Sequence, residues 1–123
     1  MKILLVEDNL HRGEWMKVDL SQYGEVHWAK SKQEALTGLK WDGPFGFVFL
    51  DFDLGNHGGE GRVVAEELAI QRFPGTVVIH SANLSGALGM EGVLQSVGVR
   101  VHRASVVSPY AMRLWREVIL RKG

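Results

Sequence analysis

Short apolar runs alternate with longer mixed stretches along the chain. Residues 3–6, 45–50 and 76–79 are rich in Val, Ile, Leu and Phe, and 97–103 is a more mixed version of the same pattern. Apolar runs of this length predict strands buried on both faces, as in a parallel sheet covered by helices on each side. Residues 25–29, EVHWA, alternate less cleanly and predict a fifth, edge strand.

The stretches between them predict helices. Residues 10–22 place Leu10, Trp15 and Val18 at helical spacing, and Tyr23-Gly24 supplies a stop. Ser31, with Glu34 three positions on, makes a capping box before a helix over 32–40, which Trp41-Asp42-Gly43-Pro44 ends. A third helix over 61–72 carries Val64 and Leu68 and closes at Phe73-Pro74-Gly75. Ser85 caps a fourth over 86–96, in which Gly86, Gly89 and Gly92 each lower helix propensity by up to about 1 kcal/mol relative to Ala. Ser108-Pro109 starts the last helix, with Met112, Trp115, Val118 and Ile119 as its apolar stripe. Five βα units in 123 residues predict one α/β domain over 1–123, with no effector domain.

Two of the apolar runs end abruptly in acids: ILLVEDN at 3–9 and FVFLDFD at 47–53. Ligands of open parallel sheets sit beyond the carboxyl ends of the strands, so adjacent first and third strands bring Glu7, Asp8 and Asp51 together. Three neighbouring carboxylates repel one another unless protonated or neutralised. Oxygen ligands without cysteine favour Mg²⁺ or Mn²⁺ over a soft metal, and such an ion suits phosphate chemistry. Opposite them, VVIHSAN at 77–83 offers the Ser81 hydroxyl, and the backbone N–H groups of Ala82 and Asp53 can complete an anion site. The plainer alternatives stay open: Asp51 as a turn cap, Glu7 and Asp8 as solvated loop acids, Ser81 as a turn serine.

Composition narrows the classes. Fourteen basic residues balance fourteen acidic ones, which removes a bulk electrostatic argument for nucleic acid. There is no cysteine, so disulfides and thiolate metal sites are excluded. No run reaches the roughly 18 to 20 apolar residues that cross a bilayer, and the N-terminus lacks a signal peptide pattern; a cytoplasmic location is expected. LGNHGGEG at 54–61 has neither Rossmann nor P-loop spacing.

KILLVEDN at 2–9, FVFLDFDLG at 47–55, the glycine-rich approach at 58–61, VVIHSAN at 77–83 and the SP-started final helix together resemble the receiver domain of two-component response regulators. The resemblance implies a flavodoxin-like (βα)5 doubly wound three-layer sandwich with strand order 2-1-3-4-5. It implies that Asp51 accepts a phosphoryl group from a histidine kinase or phosphotransfer protein, and that Asp8, Glu7, Asp51 and the carbonyl of Asp53 hold Mg²⁺. Ser81 is then the hydroxyl residue that follows the phosphate, and His102 the counterpart of an aromatic switch residue. The domain is then a switch with slow self-catalysed chemistry rather than a turnover enzyme. Its outputs are a downstream protein target or a self-dimer through the fourth helix, fifth strand and fifth helix.

One position departs from that pattern. Receivers carry a Lys-Pro pair after the fifth strand, yet no lysine lies between Lys40 and Lys122. Ungapped counting puts Ser105 and Val106 there, and a serine cannot neutralise a phosphoryl group. Arg103, on the same strand face as Ser105, is the candidate substitute. The plainer readings, Arg103 as a surface or sheet-end charge and His102 as an exposed edge residue, take precedence at this point. His80 extends a buried strand and is a candidate for tuning the site; His57 in the glycine-rich loop is a weaker candidate for partner contact. The basic residues of 100–123 form an edge for an acidic partner or a plain solvated face, and Trp115 belongs to the core. A pseudo-receiver that works without phosphorylation is the alternative function; a small Mg²⁺-dependent phosphatase using 51–53 is a remote third.

Overall fold

A computed structural model describes residues 1–55, 60–104 and 109–122. The elements alternate as predicted: β1 (Lys2–Val6), α1 (Leu10–Leu20), β2 (Glu25–Ala29), α2 (Lys32–Trp41), β3 (Phe47–Leu50), α3 (Gly61–Ile70), β4 (Thr76–Ile79), α4 (Leu84–Gln95), β5 (Arg100–Arg103) and α5 (Pro109–Lys122). All neighbouring strands are parallel, in the order β2-β1-β3-β4-β5. This is the flavodoxin-like doubly wound sheet. The central strands β3 and β4 are buried along their whole length, whereas β2 and β5 at the edges are half-open, which is why only the former read as unbroken apolar runs.

Strand alternation divides the core into two layers. Leu4, Val6, Val48, Leu50, Val77 and Ile79 face α2, α3 and α4 through Ala35, Leu68 and Met90. Ile3, Leu5, Phe47, Phe49 and Val78 face α1 and α5 through Met16, Leu20, Trp115 and Ile119.

Two helices depart from the predicted pattern. α4 begins at Leu84, because Asn83 rather than Ser85 is its cap and accepts from the Gly86 amide at 2.9 Å. In α1, Leu10 and Val18 are 63% and 66% exposed, and the buried face is instead Gly13, Met16 and Leu20. The reason is Gly13: a Cβ there would stand 2.1 Å from the Trp28 ring, so the helix meets β2 through a residue with no side chain. A hydrophobic pattern cannot register that contact. The capping box of α2 forms with a small change: Ser31 accepts from the Glu34 amide at 3.1 Å, but Glu34 accepts from Lys30, not from Ser31.

Candidate functional site

The sheet ladder runs one residue past the strand ends. The amides of Glu7, Asp51 and His80 donate to the carbonyls of Ala29, Val6 and Leu50 at 3.0, 3.3 and 3.0 Å. These three residues therefore keep strand parity, and they continue the series Ile3-Leu5, Phe47-Phe49 and Val78 on the face covered by α1 and α5. Glu7, Asp8 and Asp51 each offer a carboxylate oxygen within 4.8 Å of the others. The predicted meeting of the three acids at one sheet end is thus observed, with Glu7 and Asp51 buried.

Burial of two carboxylates demands a compensating cation, and the helix on that face supplies it. Asn9 caps α1 by accepting from the Arg12 amide at 2.8 Å, and the Arg12 side chain turns back over the strand end. Its Nε and Nη2 donate to the two oxygens of Glu7 at 2.6 and 2.9 Å. Nη2 also lies 3.4 Å from Asp51 Oδ2. The pairing with Glu7 is bidentate and charge-assisted, and the hydrogen bond to Glu7 raises Arg12 above its ordinary pKa against the opposing effect of burial. Glu7 Oε2 accepts in addition from the Asn9 amide at 3.0 Å. Trp28, seated against Gly13, donates its indole N–H to the Glu7 carbonyl at 2.9 Å.

Asp51 is tuned by this surrounding. Burial pushes its carboxyl up to about 7, and the nearby Glu7 adds to the rise; Arg12, the Asp53 amide and the Ser81 hydroxyl act in the opposite sense. The Asp53 amide donates to Asp51 Oδ1 at 3.3 Å. Asp8 stands on the open side and accepts from the Gly55 amide at 3.2 Å. Gly61 at the start of α3 fits against the Asp51 carbonyl, where a Cβ would lie 2.0 Å away.

His80 is fully buried on the same face, with Nδ1 3.6 Å from Glu7 Oε1 and its ring edge-on to Trp115 at 6.1 Å. Burial lowers its pKa to about 4, so the imidazole is neutral near pH 7 and leaves Arg12 as the counter-charge to Glu7. Among the described residues, neither ring nitrogen has a hydrogen-bond partner.

Arg103 is placed differently. It aligns with Ile79, whose side chain faces α4, and it pairs with Glu91 of α4 at 3.1 Å. Parity thus turns Arg103 toward the opposite face of the sheet from Asp51, so the expected contact with the acceptor carboxylate is not made. Arg103 instead lines a cavity of about 430 Å³ with Ser81, Ala82, Leu84, Ala87 and Ala104. Ser81 Oγ accepts from the Asn83 amide at 3.1 Å. His102 aligns with Val78 and is half-buried in the edge strand. Ser105, Val106, Ser108 and His57 lie outside the described residues. The basic edge is partly spent on internal pairs, since Arg116 meets Asp19 at 3.3 Å. Trp115 is core, as predicted.

Arg12 is the residue that sequence reasoning missed. A signal existed: strand parity puts Glu7 and Asp51 on one face, so their cation has to come from a helix on that face, and Arg12 lies in the first turn after the acidic pair.

Residues 3–96 match the family of cyclic-phosphate processing receiver domains. The chain belongs to that family. No curated protein matches this receiver. Among solved structures it is similar to the N-terminal domain of a response regulator/sensory box/GGDEF 3-domain protein from Carboxydothermus hydrogenoformans, at 25% identity and TM-score 0.72, covering 98% of this chain and 94% of that one. It is also similar to a response regulator from Colwellia psychrerythraea, at 17% identity and TM-score 0.76, covering 98% and 97%. A third is the response regulator protein TrrA from Thermotoga maritima, in complex with Mg²⁺-BeF, at 22% identity and TM-score 0.71, covering 98% and 96%. The last two likenesses bear on the fold. No described helix of the receiver is long and apolar enough to cross a membrane.

The acidic set fits a hard divalent cation. Its donors are all oxygen, and with Glu7 engaged by Arg12, the side chains left to ligate are Asp8 and Asp51. The cluster is therefore a candidate metal centre in which Asp8 and Asp51, rather than all three acids, lack a bidentate arginine partner.

Proposed function

We propose that this receiver is a phosphorylation-driven switch in which Asp51 accepts the phosphoryl group. The observation that carries the reading is the placement of Asp51: a buried carboxylate at the sheet end, adjoining a guanidinium, a backbone N–H and the Ser81 hydroxyl. An Asp51 oxygen attacks the phosphorus of a phosphohistidine; the new O–P bond forms as the N–P bond breaks, and the departing imidazole takes up a proton. Arg12 and the Asp53 amide are set to hold the phosphoryl oxygens. Asp8, Asp51 and the Asp53 carbonyl, with Glu7 as a further contributor, would hold Mg²⁺ or Mn²⁺, which would supply further charge neutralisation.

The donor is a histidine kinase or phosphotransfer protein, and the output is a change in the surface of α4, β5 and α5 read by a protein partner or by a second copy. Ser81 is the element that links phosphate to that surface, because it lines the cavity bordered by α4, by Arg103 of β5 and by Ala104 just beyond the strand. His102 in β5 is the second switch residue, and Ala82 supplies a backbone donor beside Ser81.

The family description supports a second reading of the same crevice, in which the phosphate that Arg12 and Ser81 receive belongs to a cyclic phosphate. A cyclic phosphodiester carries a single negative charge and suits one arginine. Intact mass after incubation with Mg²⁺ and acetyl phosphate tests the first reading: one labile phosphoryl group should appear on wild type and be absent from D51N. Equal masses for both proteins, with small donors and with a broad panel of kinases, would sink it in favour of a pseudo-receiver or a cyclic-phosphate binder.

A further inference from the structure

A site that neutralises three carboxylates ordinarily needs more than one positive charge, yet no lysine occurs between Lys40 and Lys122. Arg103 is spent on Glu91 across the other face of the sheet. Among the described residues, the cation within 4 Å of Asp51 is Arg12. Its side chain is 25% exposed and bridges the buried Glu7 to Asp51. Of the five guanidinium N–H donors, Nε and one Nη2 hydrogen are engaged by Glu7 and the other Nη2 hydrogen reaches toward Asp51 at a long 3.4 Å. Donor capacity therefore remains for an anion on Asp51. The same guanidinium occupies both Glu7 oxygens, which are otherwise candidate donors to a divalent ion.

We propose that Arg12 is the resident cation of this receiver: it binds the phosphoryl group on Asp51 in place of a lysine from the fifth strand, and it competes with the divalent cation for Glu7. This deepens the reading of Asp51 as acceptor and rests on it for the phosphoryl half alone. The consequence is a site with a built-in charge and a correspondingly weaker metal affinity. Arginine suits this double task because its planar fork holds Glu7 with two parallel bonds and still presents N–H groups elsewhere, which a lysine on the same helix turn does not.

The test uses the whole chain as wild type, R12Q, R12K and R103Q. Mg²⁺ alone is titrated by calorimetry. R12Q should bind it at least about tenfold more tightly than wild type, as expected when a carboxylate is released to the metal's surroundings, R12K should lie between them, and R103Q should match wild type. Then, at saturating Mg²⁺, beryllofluoride is titrated as the phosphoryl mimic and read by ¹⁹F NMR. R12Q should bind it at least about tenfold more weakly, with partial recovery in R12K. Equal Mg²⁺ affinity in wild type and R12Q, or equal beryllofluoride affinity, would overturn the proposal. Should R12Q fail to fold, R12K carries the metal arm, since lysine cannot fork Glu7: tighter Mg²⁺ binding upholds the competition and unchanged binding refutes it. The Mg²⁺ titration needs no phosphorylation, so a failed Asp51 acceptor and a failed Arg12 cation give different results.

Discussion

Arg12 and Arg103 are both arginines paired with a glutamate near the carboxyl end of the sheet, but they lie on opposite faces. Arg12 closes on Glu7, a fully buried carboxylate, and its own side chain is mostly covered. Arg103 meets Glu91 with its side chain 40% exposed. Low dielectric and fixed geometry make the first pair strongly interdependent, whereas water and salt dilute the second. The difference teaches that the face of the strand, not nearness along the chain to the usual lysine position, decides which arginine serves the acids.

The comparison breaks most visibly on stability. Arg12→Ala leaves Glu7 buried without its partner and should cost about 3 kcal/mol in metal-free urea denaturation, whereas Arg103→Ala should cost under about 1 kcal/mol. Equal losses would mean that the two faces do not differ as described. Millimolar Mg²⁺ should restore part of the Arg12→Ala loss by binding the folded form.

A second, smaller effect depends on pH. The carboxyl of Asp51 titrates near 7 in the fold, above its ordinary 3.8, so between these values the native state binds more protons than the unfolded chain. Stability from this group is complete at acid pH and declines as pH rises through that window. Asp51→Asn should therefore gain on wild type from about pH 4 to 7 and level off above that range, measured without metal. His80, lowered to about 4, works in the opposite sense: its contribution is present above the usual imidazole pKa and is lost as pH falls toward 4. Because both proteins keep His80, the difference between them isolates Asp51. A difference independent of pH would show that Asp51 does not titrate in this range.

The smallest effect sharpens the other side. A double-mutant cycle on Arg103 and Glu91 should give a coupling of about 0.5 kcal/mol, vanishing in 1 M salt. A coupling that survives salt would mean the pair is shielded like Arg12 and Glu7.

Much of the architecture was legible because parallel strands buried on both faces leave unmistakable apolar runs, and β4 begins and ends where the pattern puts it. The acids were legible too, since Glu7 and Asp51 end adjacent strands. The cation was not, for a reason of side-chain direction. Arg12 reaches the acids because Asn9 caps α1 and the guanidinium folds back, a path that residue spacing does not encode. Arg103 looked attractive because parity puts it on the same strand face as Ser105, but the observed register pairs it with Ile79 and so turns it to the α4 face. The face of α1 was misread for a related reason, because Gly13 contributes its contact with Trp28 through absence.

Gly61 leaves no slack between the first turn of α3 and the peptide that carries Asp51. Asp51 and the start of that helix are therefore held in direct backbone contact, with no room for a side chain between them. A bulkier residue at 61 should therefore push on the peptide that carries Asp51 before it reaches any other part of the acidic cluster.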